Sequence, residues 1–319
     1  MARITAFGTT ADGRAVDKIT LAAGDLTVCL LTWGAVVQSV RLAGVGHDLT
    51  LGSERLADYQ GEMRYHGAIL APVANRIGQA RAQIGGQEHR FEPNQGAHCL
   101  HSGSTGAHQQ IWQLITASDS AATLALDLPD GLGGFPGNRR IEARFSLTGA
   151  TLRLELHATT DAETLWNATN HSYWNLDGSP DFTGHSLQIA AEHWLPTDAD
   201  ARPTGEIAPV AGSAMDFRQP RKLTPGAPPL DHNFCLSGGQ MPLREVLHLQ
   251  GKSGVSLRLA TTEPGVQIYD SRGAARPYDG LAIETQVWPD APSYPAFPQI
   301  SLRPGETRMQ ITEWRFART

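Results

Sequence analysis

The sequence predicts an all-β fold of antiparallel strands, arranged as a single domain over residues 1–319. Apolar and polar residues alternate in many short runs, and a period of two is the pattern of a strand with one buried face. The chain contains 33 glycines and 20 prolines, which favour turns. No segment of useful length has a helical period, and no linker or repeat divides the chain. Many short strands between such turns are typical of all-β domains.

The clearest element is an antiparallel hairpin. Apolar residues alternate over 141–147, residues 148–150 form a turn, and the alternation resumes over 152–156. The other predicted strands are, in chain order, 26–30 continuing through 33–37, 49–51, a hairpin over 82–91 around Gly85 and Gly86, 124–128, 185–191, 255–259, 266–269, 281–287, and a final hairpin of 300–302 with 309–316.

Charge and composition exclude several classes of protein. The net charge is −6 with both signs interspersed, and the pI is about 6.0, which argues against nucleic acid or an anionic membrane as a partner. No apolar run reaches the length of a transmembrane helix, and the first residues do not resemble a signal peptide. Cys29, Cys99 and Cys235 are far apart. We expect them to be reduced thiols in a cytoplasmic protein.

Residues 167–176 read Asn-Ala-Thr-Asn-His-Ser-Tyr-Trp-Asn-Leu. Amides and hydroxyls offer hydrogen-bond donors and acceptors at fixed angles, as a polyhydroxylated ligand requires. The histidine of the run, His171, can move a proton near neutral pH. Two interpretations remain open from residue types alone: a ligand site, or an Asn-rich β-bulge around a structural histidine.

Other polar residues interrupt apolar runs in the same way. Asn75 and Arg76 follow an apolar segment, although a surface ion pair would explain Arg76 equally simply. Asp231 suits an Asx turn. Glu284 stands in the middle of a predicted strand, where glutamate is rare, so it faces either solvent or a site. His98 and His101 are three residues apart but lack a third metal ligand at a convincing spacing.

The run 167–176 resembles the signature of the aldose 1-epimerases, also called galactose mutarotases, which reads Asn-x-Thr-Asn-His-x-Tyr-aromatic-Asn-Leu. The chain has the signature residue at every fixed position of this pattern, and the resemblance extends over nearly the whole chain. It implies a large antiparallel β-sandwich of the galactose mutarotase type. It also implies an isomerase that interconverts the α and β anomers of a free aldose such as galactose, glucose or arabinose, without cofactor or metal, as a monomer or weak homodimer.

The resemblance implies a role for particular residues. Glu284 would be the catalytic base and His171 the acid. The implied substrate-binding residues are Asn75, Arg76, His101, Ser172, Tyr173, Asp231 and Gln267. We expect Asp231 to raise the pKa of His171, and Arg76 or the signature amides to keep Glu284 ionised. We also expect the acid and base to leave room for a pyranose ring between them.

Three departures from the family pattern affect the expected rim of the site. Ala71 and Pro72 replace a frequent Gly-Arg pair, His98 stands where asparagine is frequent, and an aromatic residue is absent from 102–110. The sequence argues against three alternative functions. A non-catalytic sugar-binding module would have lost the acid or base. A hexose 6-phosphate epimerase would need a cluster of Arg or Lys, and none lies beside the motifs. A glycoside hydrolase or lyase would need paired carboxylates.

Overall fold

The computed structural model describes residues 2–318, and its regular secondary structure is almost entirely β-strand. The strands are β1 Arg3–Thr9, β2 Ala15–Ala23, β3 Leu26–Leu31, β4 Val37–Leu42, β5 Ile69–Leu70, β6 Arg76–Ile77, β7 Arg81–Ile84, β8 Gln87–Arg90, β9 Cys99–Leu100, β10 Gln113–Ala117, β11 Ala121–Leu128, β12 Arg139–Thr148, β13 Thr151–Thr160, β14 Thr164–Leu165, β15 Thr169–Asn170, β16 Tyr173–Trp174, β17 Ser186–Ile189, β18 His193–Trp194, β19 Ala208–Pro209, β20 Arg221–Lys222, β21 Asp231–Cys235, β22 Arg244–Gln250, β23 Val255–Thr261, β24 Gly265–Tyr269, β25 Leu281–Gln286, β26 Ser301–Leu302 and β27 Arg308–Arg318.

In the described part of the chain, helical structure is limited to single turns. The α-helix α1 covers Leu56–Tyr59, and five 3₁₀ turns cover Gly78–Ala80, Gly103–Thr105, Ala107–Gln109, Leu132–Gly134 and Ala291–Ser293. No helix within residues 2–318 is long and apolar enough to cross a membrane. The predicted all-β class is therefore confirmed.

Three large sheets contain most of the strands of residues 2–318. A four-stranded sheet has the order β1-β2-β3-β4, and a nine-stranded sheet has the order β10-β11-β12-β13-β27-β23-β22-β17-β20. A six-stranded sheet has the order β16-β25-β24-β21-β18-β19. The paired strands in these sheets are antiparallel, so the predicted antiparallel arrangement is confirmed.

The sheets bury their apolar faces against one another. In β12 the side chains alternate between buried and partly exposed along the strand, and β13 does the same, so one face of the hairpin joins the core. Trp174 on β16 packs against Trp314 on β27 with ring centroids 6.1 Å apart. Thr285 on β25 and Thr312 on β27 share a hydrogen bond of 2.6 Å. The six- and nine-stranded sheets therefore form the two layers of a sandwich.

Two predicted strand segments are wrong. Residues 33–37 do not continue β3, because the chain turns at Gly34 and Ala35, which have φ angles of 63° and 46°. A side chain at Gly34 would also meet the backbone of His108, 2.8 Å from its carbonyl oxygen. The other segment, 49–51, is irregular and makes one bridge, between Thr50 and Trp174. Val37 instead begins β4, and the other residues of the two segments lie in mostly buried irregular structure, which apolar sequence alone did not reveal.

The predicted final hairpin is also wrong. β26 pairs with β14, whereas β27 lies between β13 and β23 in the nine-stranded sheet. A strand has two hydrogen-bonding edges, and both edges of β27 are occupied by these longer partners. The other predicted hairpins, β7 with β8 and β12 with β13, are confirmed.

Candidate active site

Most of the predicted site residues line one cavity of about 430 Å³. They are Asn75, Arg76, His101, His171, Tyr173, Asp231 and Glu284. The six-stranded sheet brings several of them together, because β25 pairs with both β16 and β24, and β24 pairs with β21. Residues far apart in sequence thus meet on neighbouring strands.

Glu284 lies in the middle of β25, opposite Gln267 on β24. Every residue of β25 is buried, so the strand has no solvent face and alternation could not reveal where the glutamate points. The side chain lines the cavity while remaining 2% exposed. Its Oε2 atom has no hydrogen-bond partner among residues 2–318. A buried acceptor of this kind, beside a cavity, is suited to a ligand.

His171 directly adjoins this glutamate. Its Nε2 atom lies 3.4 Å from Oε1 of Glu284. The backbone N–H of His171 donates to the carbonyl of Ala68 (2.9 Å), and its carbonyl accepts from Gly67 (2.9 Å). The ring is thereby fixed beside the carboxyl group. The expected room for a pyranose ring between the two groups is absent at this distance, so any sugar must approach both from the same side.

The signature asparagines brace the backbone. Asn167 donates to the carbonyl of Val287 (3.0 Å) and accepts from its N–H (2.8 Å). This clamp joins the segment before His171 to the residue just after β25. Asn170 donates to the carbonyl of Gly67 and accepts from the Ser172 hydroxyl (2.7 Å each).

The roles expected of these amides and of Ser172 need correction. Asn175 donates to the carbonyls of Ser179 and Asp279 (2.8 and 2.7 Å), so the signature amides face the backbone, and none of them hydrogen-bonds Glu284. Ser172 is fully buried and lies behind the cavity wall, with its hydroxyl committed to the turn. The hydroxyl is therefore placed to orient the cavity wall through Asn170.

The expected effect of Asp231 on His171 is wrong. Burial lowers the pKa of His171 to about 3, and the neighbouring His66 and His108 act in the same direction. Burial raises the pKa of Glu284 well above its usual value; Asp231 adds to this and Arg76 opposes it. The carboxyl group that touches His171 is Glu284 itself. In the empty cavity, burial therefore disfavours the charged form of each member of the pair.

Arg76 and Asp231 face each other inside the cavity as an ion pair. Their closest atoms, Nη2 and Oδ2, are 3.8 Å apart. Arg76 is 7% exposed and donates from Nε to Gln95 (2.7 Å), so the surface ion-pair interpretation is excluded. Gln267 lies behind the cavity surface and donates to Asp231 (2.7 Å). Its position indicates that it orients Asp231.

Asn75 and His101 interlock through two left-handed backbone turns. Their φ angles are 59° and 52°, a conformation that costs energy for non-glycine residues unless the surroundings hold it. The N–H of Asn75 donates to Nδ1 of His101 (3.0 Å), and the N–H of His101 donates to the carbonyl of Asn75 (2.8 Å). Since Nδ1 accepts a hydrogen bond, the proton of the neutral ring is on Nε2. His101 therefore offers a donor.

His98 does not join His101 in a metal site. Nδ1 of His98 accepts from the N–H of Gln79 (3.0 Å) and its Nε2 lies 3.4 Å from Asp200. Within residues 2–318, no three His, Cys, Asp or Glu side chains are placed to hold a metal ion.

Several cavity residues were not predicted from the sequence. These include Arg64, Tyr65, His66, Gln95, Tyr269 and Arg272. Tyr269 could have been found, because it follows Gln267 by two positions in a strand and so shares its face. Tyr65 packs its ring on His101, with centroids 4.7 Å apart. The turn that carries Tyr65 has no pattern in the sequence that points to the cavity.

The buried histidines around the cavity predict acid sensitivity. Burial lowers the pKa of His108 to about 4, whereas an unfolded histidine titrates near 6.5. As pH falls from 6.5 towards 4, the unfolded chain binds a proton at this residue that the folded chain does not. The stability from His108 is thus complete above pH 6.5 and is lost by about 1.4 kcal/mol per pH unit below it.

His108→Phe should flatten this dependence. We expect the free energy of unfolding, measured with denaturant at pH 7 and pH 5, to fall by about 2 kcal/mol less in the variant than in the wild type. The difference between the two pH values is the readout, so a general loss of stability in the variant does not affect it. Parallel pH dependences would contradict the low pKa of His108.

Comparisons with known proteins agree with the geometry. The sequence model that describes the aldose 1-epimerase family matches residues 17–315 of this chain. Galactose mutarotase of Mus musculus is 35% identical over 96% of this chain and 95% of its own length. Aldose 1-epimerase of Escherichia coli (strain K12) is 32% identical over 91% of this chain and 92% of its own length.

Solved structures lead to the same family. An aldose epimerase homologue from C. elegans superimposes with a TM-score of 0.90 at 28% identity, covering 96% of this chain and all of the other. Galactose 1-epimerase from Lactobacillus acidophilus superimposes with a TM-score of 0.88 at 26% identity, covering 100% of this chain and 99% of the other. The sandwich is thus of the galactose mutarotase type. The chain belongs to the aldose 1-epimerase family and is an isomerase.

Proposed function

We propose that Glu284 and His171 carry the aldose 1-epimerase activity of this chain, acting on a free aldose such as galactose, glucose or arabinose. The observation that supports this most strongly is the pair itself. Oε1 of Glu284 and Nε2 of His171 are 3.4 Å apart, both side chains are buried, and both line a polar cavity. The reaction needs one group that accepts a proton and one that donates a proton at adjacent sugar oxygens.

Ring opening uses both groups at once. Glu284 takes the proton from the C1 hydroxyl while His171 gives a proton to the ring oxygen O5. The C1–O5 bond breaks, its electrons stay on O5, and C1 becomes an aldehyde carbon. Rotation about C1–C2 then presents the other face of the carbonyl to the C5 hydroxyl. The reverse transfers close the ring as the opposite anomer and restore both groups.

The pair needs one proton in every state of this cycle. Burial favours protonated Glu284 and neutral His171 in the empty cavity, which together hold one proton. The reactive form, with ionised Glu284 and protonated His171, holds the same number. A shift of that proton over the 3.4 Å between them makes the site ready without exchange with solvent. Bound sugar hydroxyls, which hydrogen-bond charged groups, favour the ionised form.

The remaining cavity residues bind the sugar in this proposal. Arg76 and the Nε2–H of His101 donate to hydroxyls, Asp231 accepts, and Asn75 and Tyr173 complete the wall. Gln267 and Ser172 act indirectly, through Asp231 and Asn170. The sugar is thereby held with its C1–O5 edge against the Glu284–His171 pair.

Arg76→Lys should weaken sugar binding. The substitution keeps the charge but loses the planar fork that reaches Gln95 and Asp231 together. We expect KM to rise by about tenfold and kcat to fall as well, because the sugar is held less firmly in both the ground and transition states. Initial rates over a range of sugar concentrations measure both constants. An unchanged KM would contradict a binding role for Arg76.

Arginines are more frequent at the cavity than the sequence suggested. Arg64, Arg76 and Arg272 all line it, so the expectation that no such cluster exists near the motifs is corrected. Arg272 is paired with Asp270 at 2.6 Å, and Arg76 with Asp231. Two of the three charges are thus balanced by a carboxylate, which favours a neutral sugar.

A cytoplasmic location and a monomer or weak homodimer remain predictions.

Polarimetry tests the proposal directly. Freshly dissolved α-D-galactose, α-D-glucose, L-arabinose and glucose 6-phosphate are followed with and without the purified protein, and the spontaneous rate is subtracted. We expect acceleration with at least one free aldose, unchanged by a chelator because the proposed chemistry uses two side chains. Acceleration of the phosphate alone would favour the alternative hexose 6-phosphate epimerase. No acceleration of any sugar would refute the function, and chelator-sensitive acceleration would refute the metal-free mechanism.

A further inference from the structure

We propose that His66 is a substrate-binding residue that hydrogen-bonds a sugar hydroxyl remote from C1 and thereby helps to select the aldose. This inference rests on the aldose 1-epimerase function proposed above and adds to it a residue that the family signature does not contain. His66 lies outside the run 167–176 and outside the Asn75–Arg76 pair, on the turn that precedes β5.

The ring of His66 is held rigidly in the cavity wall. It lies nearly parallel to the ring of Tyr173, with centroids 4.1 Å apart and planes at 20°. The backbone N–H of His66 donates to the carbonyl of Met63 (2.9 Å). His66 is 7% exposed and lines the cavity. A side chain fixed by stacking and by its backbone loses little freedom when a ligand binds.

The hydrogen-bonding capacity of this ring is left largely open within residues 2–318, where the nearby Met63 carbonyl favours the protonated ring. Nδ1 is buried and has no hydrogen-bond partner among residues 2–318. Because Nδ1 is covered, the ring edge that meets the cavity is the one that carries Nε2. Burial and the charge of Arg276 lower the pKa of His66 to about 4, with the Met63 carbonyl opposing them. The ring is therefore neutral, and Nε2 can pair with a hydroxyl in either tautomer, since a hydroxyl both donates and accepts.

The position of His66 excludes a direct part in proton transfer. Tyr173 stands next to His171, with ring centroids 4.9 Å apart, and His66 stacks on Tyr173. Of the two groups proposed to transfer protons, Glu284 is within hydrogen-bonding range of His171, and no such contact joins either of them to His66. His66 is thus placed to contact a hydroxyl other than the C1–O5 unit that meets the reactive pair.

The hydroxyl contact predicts a specific kinetic pattern. His66→Phe keeps a flat ring against Tyr173 but removes both nitrogens. We expect it to raise KM for the preferred aldose by about twofold to tenfold, the value of one hydrogen bond to an uncharged partner, with kcat within about twofold of the wild type. His66→Asn keeps a hydrogen-bonding group without the ring and should restore part of the binding.

Deoxy sugars identify the hydroxyl. The preferred aldose and its monodeoxy derivatives, at C2, C3, C4 and C6 for a hexose or at C2, C3 and C4 for arabinose, are compared in the wild type and His66→Phe. One derivative lacks the contacted hydroxyl, so its KM should be the same in both proteins, while the others show the full increase. His108→Phe is the matched control: His108 is also buried with a free Nδ1 but does not line the cavity. Any effect of this control should be equal across the series.

Different kinetic results would refute the His66 contact and the proposed isomerase function. An equal rise in KM for every sugar, or no rise for any, would overturn the contact while leaving the isomerase activity standing. If the wild type accelerates no aldose, the proposed function fails, and calorimetric dissociation constants for the same sugars then test His66 in place of KM. A wild type that neither binds nor converts any of them would overturn both.

Discussion

Glu284→Gln is expected to lower kcat by at least about a hundredfold while leaving KM nearly unchanged. The substitution preserves the size and shape of the side chain but removes the basic oxygen, and a well-placed base contributes about 10²–10⁴-fold. The amide can still hydrogen-bond a sugar, so binding in the ground state persists. Initial rates by polarimetry, corrected for the spontaneous reaction, give both constants.

Glu263→Gln is a matched control for this experiment. Glu263 is another glutamate that is 2% exposed and whose pKa is raised by burial, but it lies outside the active-site cavity. Its replacement should leave kcat close to that of the wild type. If Glu284→Gln retains a kcat within a few fold of the wild type, Glu284 is not the base.

The sequence predicts strands well where a sheet has one buried face. The hairpin of β12 and β13 alternates cleanly because one side of it meets the core, and period two is the direct consequence. β25 is buried on both faces, so its sequence shows no alternation of apolar and polar residues that would tell which face Glu284 is on. Only the structure shows the orientation of Glu284. The prediction that residues 33–37 continue β3 was wrong for a related reason, since a buried loop is as apolar as a strand.

Pairing partners were harder to predict than strands. The position of β27 between β13 and β23 depends on residues more than fifty positions away, and a local turn at 304–305 gives no information about them. The same holds for the cavity. Resemblance identified Glu284 and His171, but their separation of 3.4 Å depends on tertiary contacts such as the pairing of β16 with β25 and the Asn167 clamp on Val287. No local pattern in the sequence predicts such tertiary contacts.

The polar run 167–176 proved to contain both interpretations that its residue types allowed. Its asparagines and Ser172 brace the backbone, as a hydrogen-bonded bulge would require. Its histidine meets the cavity. Side chains that fix the backbone and side chains that line the cavity, His171 and Tyr173, thus occur within the same ten residues, and only their partners distinguish them. Amide-rich signatures therefore locate a site more reliably than they assign roles within it.

His171→Asn is expected to lower kcat by a similar factor, at least about a hundredfold, because the amide cannot donate a proton to O5 at a useful rate. Its pH dependence should also reverse. In the wild type kcat falls as pH rises through the raised pKa of the pair, since the single shared proton is lost. In the variant the remaining activity should rise over the same range, because ionised Glu284 is then the only group left to act.

The double variant Glu284→Gln/His171→Asn tests whether the two residues act as one unit. They touch and share one proton, so removing the second group from a site that already lacks the first should cost little. We expect kcat of the double variant to lie within about tenfold of kcat of the slower single variant. This value is far above the kcat that would result if the fold-losses of the two single variants were multiplied. Strictly multiplicative losses would mean that each group works independently, and would overturn the shared-proton mechanism even if both residues are essential.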